Sequence, residues 1–147
     1  MQLPLNLSRY LGYHSLLMKK QRAVSKHQYL ALAKKQLEKV QSAWTEPTDW
    51  DDLTMYGFYC LENAVAAAAL HAGITFIKTH PGKAHAAREL AKLHKLSDMS
   101  ELLVQLNDAR KAHAYGDIEE PDLIAEDVAA TVEEVVNSVE SFLDKTI

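Results

Sequence analysis

The chain has 147 residues, 48% of them hydrophobic and 24% charged, with five Gly, four Pro and a formal net charge of −4. That length supports one domain with its own core, and the composition is ordinary for a soluble globular protein. The single cysteine, Cys60, excludes an intramolecular disulfide, and the N-terminus lacks the basic segment and apolar run of an export signal, so the expected location is cytoplasmic.

Few Gly and Pro alongside abundant Ala, Leu, Lys and Glu predict an all-α fold. The charge is unevenly spread. Residues 1–45 carry eight basic side chains against one acid, Glu38, whereas residues 116–147 carry ten acids against one base, Lys145. A basic N-terminal helix suits phosphate; the plainer expectation is that it faces the acidic last helix or solvent.

In chain order, residues 1–20 are expected to form a short, partly helical arm, with Leu11, Leu16 and Leu17 available to pack. From about Gln21 to Trp44, Leu30, Ala33, Leu37, Val40 and Trp44 recur at helical spacing. Pro47 ends this helix, because proline disfavours helical geometry in the residue before it.

The next stretch, Leu53 to Ile77, carries one charged side chain, Glu62, in twenty-five residues. A helix apolar nearly all round has neighbours on most sides, so it is expected to be the centre of the bundle. Thr48 is the expected N-cap, Asp49, Asp51 and Asp52 suit the positive end of the helix dipole, and Gly73 suits a left-handed C-terminal cap. Glu62, Asn63 and His71 make the stretch too polar for a membrane span.

Thr79-His80-Pro81-Gly82 is expected to be a turn, followed by a shorter helix over about 83–94 that buries Ala87, Leu90, Ala91 and His94. Ser97 or Asp98 is the expected cap of the next helix, with Asp98 and Glu101 as a reciprocal capping pair. That helix runs to about Tyr115, Gly116-Asp117 breaks it, and Pro121 suits the start of the last helix. Ile124, Val128, Val132, Val135, Val139 and Phe142 form its apolar stripe. The expected architecture is one domain over 1–147, an up-and-down bundle of four to five helices.

Several chemistries find no support. The chain has no glycine-rich phosphate loop, no HExxH and no acid three residues before a histidine, and no histidine pair stands at i,i+3 or i,i+4. No metal or other cofactor is therefore expected. Cys60, inside the apolar helix, reads as a core thiol.

The informative segment is Leu102 to Asp117, LLVQLNDARKAHAYGD. At about 100° per residue, Met99, Leu102, Leu103, Leu106 and Ala109 share one apolar face, while Glu101, Gln105, Asp108 and Lys111 face away. Arg110 and His113 fall on the apolar face. Buried charge is costly unless paired, so one reading pairs Arg110 with Glu62 and leaves His113 on a backbone carbonyl. The other is a phosphate-handling site, with Arg110 as bidentate clamp and His113 as acid or base.

FYCLENAVAAAAL, THPGKAHAARELA, LNDARKAHAYGD and the acidic last helix, in this order, resemble the HEPN family (higher eukaryotes and prokaryotes nucleotide-binding) over roughly residues 21–145. The resemblance implies an all-α, HEPN-like dimer. Many members are metal-independent ribonucleases of toxin–antitoxin or defence type, with the site at the dimer interface. Their motif is Arg, four to six residues, then His. The His activates a ribose 2′-OH and the Arg stabilises charge on phosphorus.

Here Arg110 matches, but Tyr115 follows after four intervening residues and Asp117 after six, whereas His113 follows after two. Tyrosine, with a reference pKa of about 10, is a poor base near neutrality. The implied site is Arg110, His113 and Tyr115, supported by Glu62, Asn107 and Asp117. The implied partners are a second copy, RNA or a nucleotide, and an antitoxin-like or nucleotidyltransferase protein. The alternative is a non-catalytic binding module in which Arg110, His113 and Tyr115 are structural or line a nucleotide or partner pocket.

Overall fold

The computed structural model describes residues 24–116 and 121–147. The expected arm over 1–20 and the candidate Asp117 lie outside them. Within them are five helices and no strand: α1 (Lys26–Ala43), α2 (Trp50–Ala72), α3 (His80–His94), α4 (Ser100–Ala114) and α5 (Ala125–Leu143).

Helix α2 is the hub, packing against all four others. Its pattern explains this position: Leu53, Phe58, Cys60, Leu61, Val65 and a run of alanines are buried around the whole circumference. The small side chains let neighbouring helices approach. A Cβ built on Gly57 would come 3.3 Å from Leu106 of α4, so glycine keeps α2 close to that helix.

The end of α2 is as expected. Gly73 takes a left-handed φ of 72°, and Ile74 N–H donates to Ala69 O at 2.9 Å. Its start differs: Asp49 is the N-cap, accepting from Asp52 N–H at 3.0 Å, while Thr48 turns back to donate to Trp44 O.

Helix α1 starts with a capping box absent from the sequence-based reading: Gln28 N–H donates to Ser25 Oγ, and Ser25 N–H to Gln28 Oε1. The basic α1 does pack on the acidic α5, with Lys34 paired to Glu140 and Gln41 donating to Glu133. Such exposed contacts are worth about 0–1 kcal/mol each. Apolar burial along α5 (Val128, Val132, Val135, Val136, Val139, Phe142) matters more.

Two further starts are corrected. Ile124 is the exposed N-cap of α5 rather than part of its stripe, and Pro121 precedes the helix. Met99 is the N-cap of α4, and no reciprocal Asp98–Glu101 box forms. Asp98 instead accepts from Ser100 N–H at 2.9 Å. Hydrogen bonds from Ser100 hold the Asp98 carboxyl below the usual carboxylate range, with the charge of Arg88 adding to the effect.

Cys60 has no exposed surface, and its Sγ lies 3.1 Å from Ala33 O. Burial pushes the thiol pKa up to about 12, so at neutral pH it remains a protonated core thiol and not a nucleophile. Among the described residues no helix is long and apolar enough to cross a membrane, and no cluster of His, Cys, Asp and Glu is arranged to hold a metal ion.

Candidate functional site

The site begins with a helix start. Thr79 is the N-cap of α3, accepting from Gly82 N–H at 3.0 Å, and proline sits in the first turn, where its missing N–H costs nothing. The expected turn at 79–82 is thus the opening of α3, three residues earlier than predicted. Gly82 is needed there, since a Cβ would stand 2.1 Å from Ile77 O. This close passage directs His80 toward α2.

Glu62 lies in the middle of α2, its side chain 4% exposed. The expected direct pair with Arg110 is not what satisfies it. His80 Nδ1 lies 2.6 Å from Glu62 Oε2, and Lys83 Nζ 3.5 Å from Oε1. Arg110 joins one step further out: its Nη2 lies 3.3 Å from His80 Nε2. The imidazole, at the start of α3, thus sits between the carboxylate of α2 and the guanidinium of α4.

Arg110 is also seated on aromatic rings. Its Cζ lies 4.7 Å from the centroid of Phe58 and 5.4 Å from that of Tyr59, and the His80 ring stands edge-on to Phe58 at 5.0 Å. Cations over aromatic faces gain about 0.5–2 kcal/mol. The array therefore holds two cations, Lys83 and Arg110, against one carboxylate, Glu62. Among the described residues Arg110 has no carboxylate partner.

The other candidates lie elsewhere. His113 is one turn beyond Arg110 on α4, and its Nδ1 lies 3.2 Å from Asp51 in the first turn of α2. Two helical turns of α2 separate Asp51 from Phe58, so within one chain His113 and Arg110 do not converge. Tyr115 caps α4 and is 78% exposed. Asn107 does share the region. Asn107 Oδ1, Arg110 Nε and His113 Nε2 form a line of buried polar atoms along α4 with no partner among the described residues.

Beside the array is an open cleft of about 230 Å³ between α3 and α4, lined by Phe58, His80, Arg88, Leu103, Val104 and Asn107 among others. It is smaller than the roughly 300–1,000 Å³ of enclosed small-molecule sites and fits one phosphate or base of a longer chain. A larger groove of about 580 Å³ runs along α5, but Glu133 and Glu134 line it and would repel phosphate. Charge outweighs size here.

Comparison with protein families gives a match to the model described as HEPN domain over residues 26–142. The chain belongs to the HEPN family. The match takes in all five helices and the Glu62–His80–Arg110 array. Comparisons with curated proteins and with solved structures give no match.

In this HEPN domain the expected Glu62–Arg110 pair is replaced by an array bridged by His80, and sequence reasoning missed the three side chains around it, His80, Lys83 and Phe58. His80 and Lys83 were hidden by reading Thr79–Gly82 as a turn. A Thr cap followed by Pro in the first turn was the available signal. Phe58 looked like core, and it is core, at 1% exposure, while also carrying the guanidinium.

Proposed function

We propose that this HEPN domain handles RNA phosphodiesters at the α3–α4 cleft, as a metal-independent endoribonuclease of the toxin–antitoxin or defence kind acting in the cytoplasm. The observation carrying this reading is Arg110: a guanidinium fixed over two aromatic rings, with a neutral-capable imidazole rather than a carboxylate as its hydrogen-bond partner. A guanidinium already neutralised by a carboxylate has little left for phosphate. This one retains its charge and sits on His80, which lines the cleft together with another cation, Arg88.

The test is purified protein with mixed RNA, no added metal and excess chelator. Products ending in 2′,3′-cyclic phosphate are expected, and Arg110→Ala should abolish them. Intact RNA in the wild-type reaction contradicts the reading.

The active form in this proposal is a homodimer. Val104, 50% exposed on α4 and lining the cleft, offers apolar surface beside the site. Sedimentation equilibrium at micromolar protein should give twice the chain mass; a strict monomer removes any composite site.

A second reading, a non-catalytic HEPN module that binds a nucleotide or a partner such as an antitoxin-like or nucleotidyltransferase protein, rests on His113. Its contact with Asp51 keeps it from serving Arg110 within the chain. That reading expects RNA or nucleotide binding that weakens with salt and no cleavage.

A further inference from the structure

We propose that His80 is the proton-transfer residue of this site and that Glu62 positions it. The proposal rests on the ribonuclease reading above and supplies the base that the Arg110 segment itself does not place.

The first argument is hydrogen-bond arithmetic. An ionised carboxylate only accepts, so the 2.6 Å contact assigns the proton of a neutral His80 to Nδ1. Nε2 then carries a lone pair, and it accepts from Arg110 Nη2. A buried carboxylate on one ring nitrogen and an accepting lone pair on the other is the arrangement that orients an imidazole for proton abstraction.

The second argument is access. Glu62 is 4% exposed, but the His80 side chain is 43% exposed, and His80 lines the cleft. Its anchored edge meets the buried carboxylate, and part of the side chain reaches solvent. The third is elimination by geometry: His113 lies against Asp51, and no polar contact links Tyr115 to the array among the described residues.

The step balances without a metal. His80 Nε2 takes the proton of the ribose 2′-OH as O2′ bonds to phosphorus. The P–O5′ bond breaks, its electron pair stays on O5′, and O5′ takes a proton from water. The products are a 2′,3′-cyclic phosphate and a 5′-hydroxyl end, and the imidazolium returns its proton to solvent. The Arg110–His80 contact, at 3.3 Å, is longer than a strong hydrogen bond from an N–H donor. Arg110 gives it up for the non-bridging phosphate oxygens, where charge accumulates, and this frees Nε2.

The experiment uses the full chain, a fluorogenic single-stranded RNA and chelated buffer. His80→Asn keeps an N–H for Glu62 and removes the basic nitrogen. It should lose about 100-fold or more in kcat, the usual scale of acid–base catalysis, with KM nearly unchanged. Added imidazole should restore part of the activity of His80→Ala and none to Arg110→Ala. Glu62→Gln should lower kcat by about tenfold or more at constant KM, as expected when an imidazole loses the charge that orients it.

His85→Ala, an exposed histidine on the same helix, should behave as wild type. If His80→Ala fails to fold, His80→Asn with wild-type ellipticity carries the test. Cleavage at the wild-type rate by His80→Asn, while Arg110→Ala is dead, overturns the role of His80 and leaves the ribonuclease reading standing. An inactive wild type overturns both.

Discussion

Glu62→Ala is expected to lower the unfolding free energy by about 3 kcal/mol, toward the low end of the range for breaking a buried ion pair. The carboxylate is 4% exposed and serves two donors, His80 Nδ1 and Lys83 Nζ. Removing it leaves Lys83, only 19% exposed, without its acceptor, and leaves space in the middle of α2. Glu62→Gln keeps the volume and an acceptor for His80, so its cost should be smaller, about 1–3 kcal/mol. Urea titrations of the two variants measure this directly. Midpoints unchanged in both would place Glu62 outside the buried array.

Phe58→Ala should cost about 3–5 kcal/mol, the range for truncating a buried aromatic. Phe58 is 1% exposed and meets two side chains of the candidate site, the edge of His80 and the guanidinium of Arg110. Phe58→Leu separates the two contributions. It keeps most of the apolar volume, should cost clearly less than the alanine variant, and removes the aromatic face beneath Arg110. RNA handling should therefore suffer in Phe58→Leu more than its stability does. A leucine variant fully active at wild-type stability would show that the ring serves packing alone. The readouts are a urea titration and the chelated cleavage assay on the same preparation.

What the sequence conveyed about the fold follows from one-body physics. The apolar character of residues 53–69, interrupted by Glu62 and Asn63, is satisfied by a helix surrounded by others, and Gly73 ends it because other residues resist a φ of 72°. The valine stripe of α5 states its buried face in the same way. Helix starts were less legible: Thr48 and Asp49 offer nearly equivalent caps one residue apart, and α4 starts at Met99 with no side-chain cap bond to mark it.

The site was half legible for a different reason. A helical wheel shows that Arg110 and His113 share a face of α4, but not how far along α2 each reaches. The antiparallel passage of the two helices sends Arg110 to Phe58 and His113 to Asp51. Likewise, that Glu62 needs a polar partner follows from its burial, while the choice of His80 and Lys83 over Arg110 depends on where α3 crosses. Pro81-Gly82 read as a chain reversal because both residues punctuate turns. Here Pro81 occupies the one helical turn that tolerates it, and Gly82 the one place where a Cβ would meet the backbone of Ile77.

The central expectation is that Arg110 meets RNA phosphate next to His80, which lines the α3–α4 cleft. Its most direct test is binding of a labelled single-stranded RNA whose 2′-hydroxyls are methylated, so that it cannot be cleaved. Fluorescence anisotropy across a salt series would compare wild type, Arg110→Lys and Arg110→Ala. Affinity should fall as salt rises; Arg110→Ala should weaken binding by about 10–100-fold, the worth of charge-assisted hydrogen bonds, and flatten the salt slope by about one ion. Lysine should restore only part of the affinity, since it lacks the planar fork. Equal affinity and equal salt slope in wild type and Arg110→Ala would contradict the account.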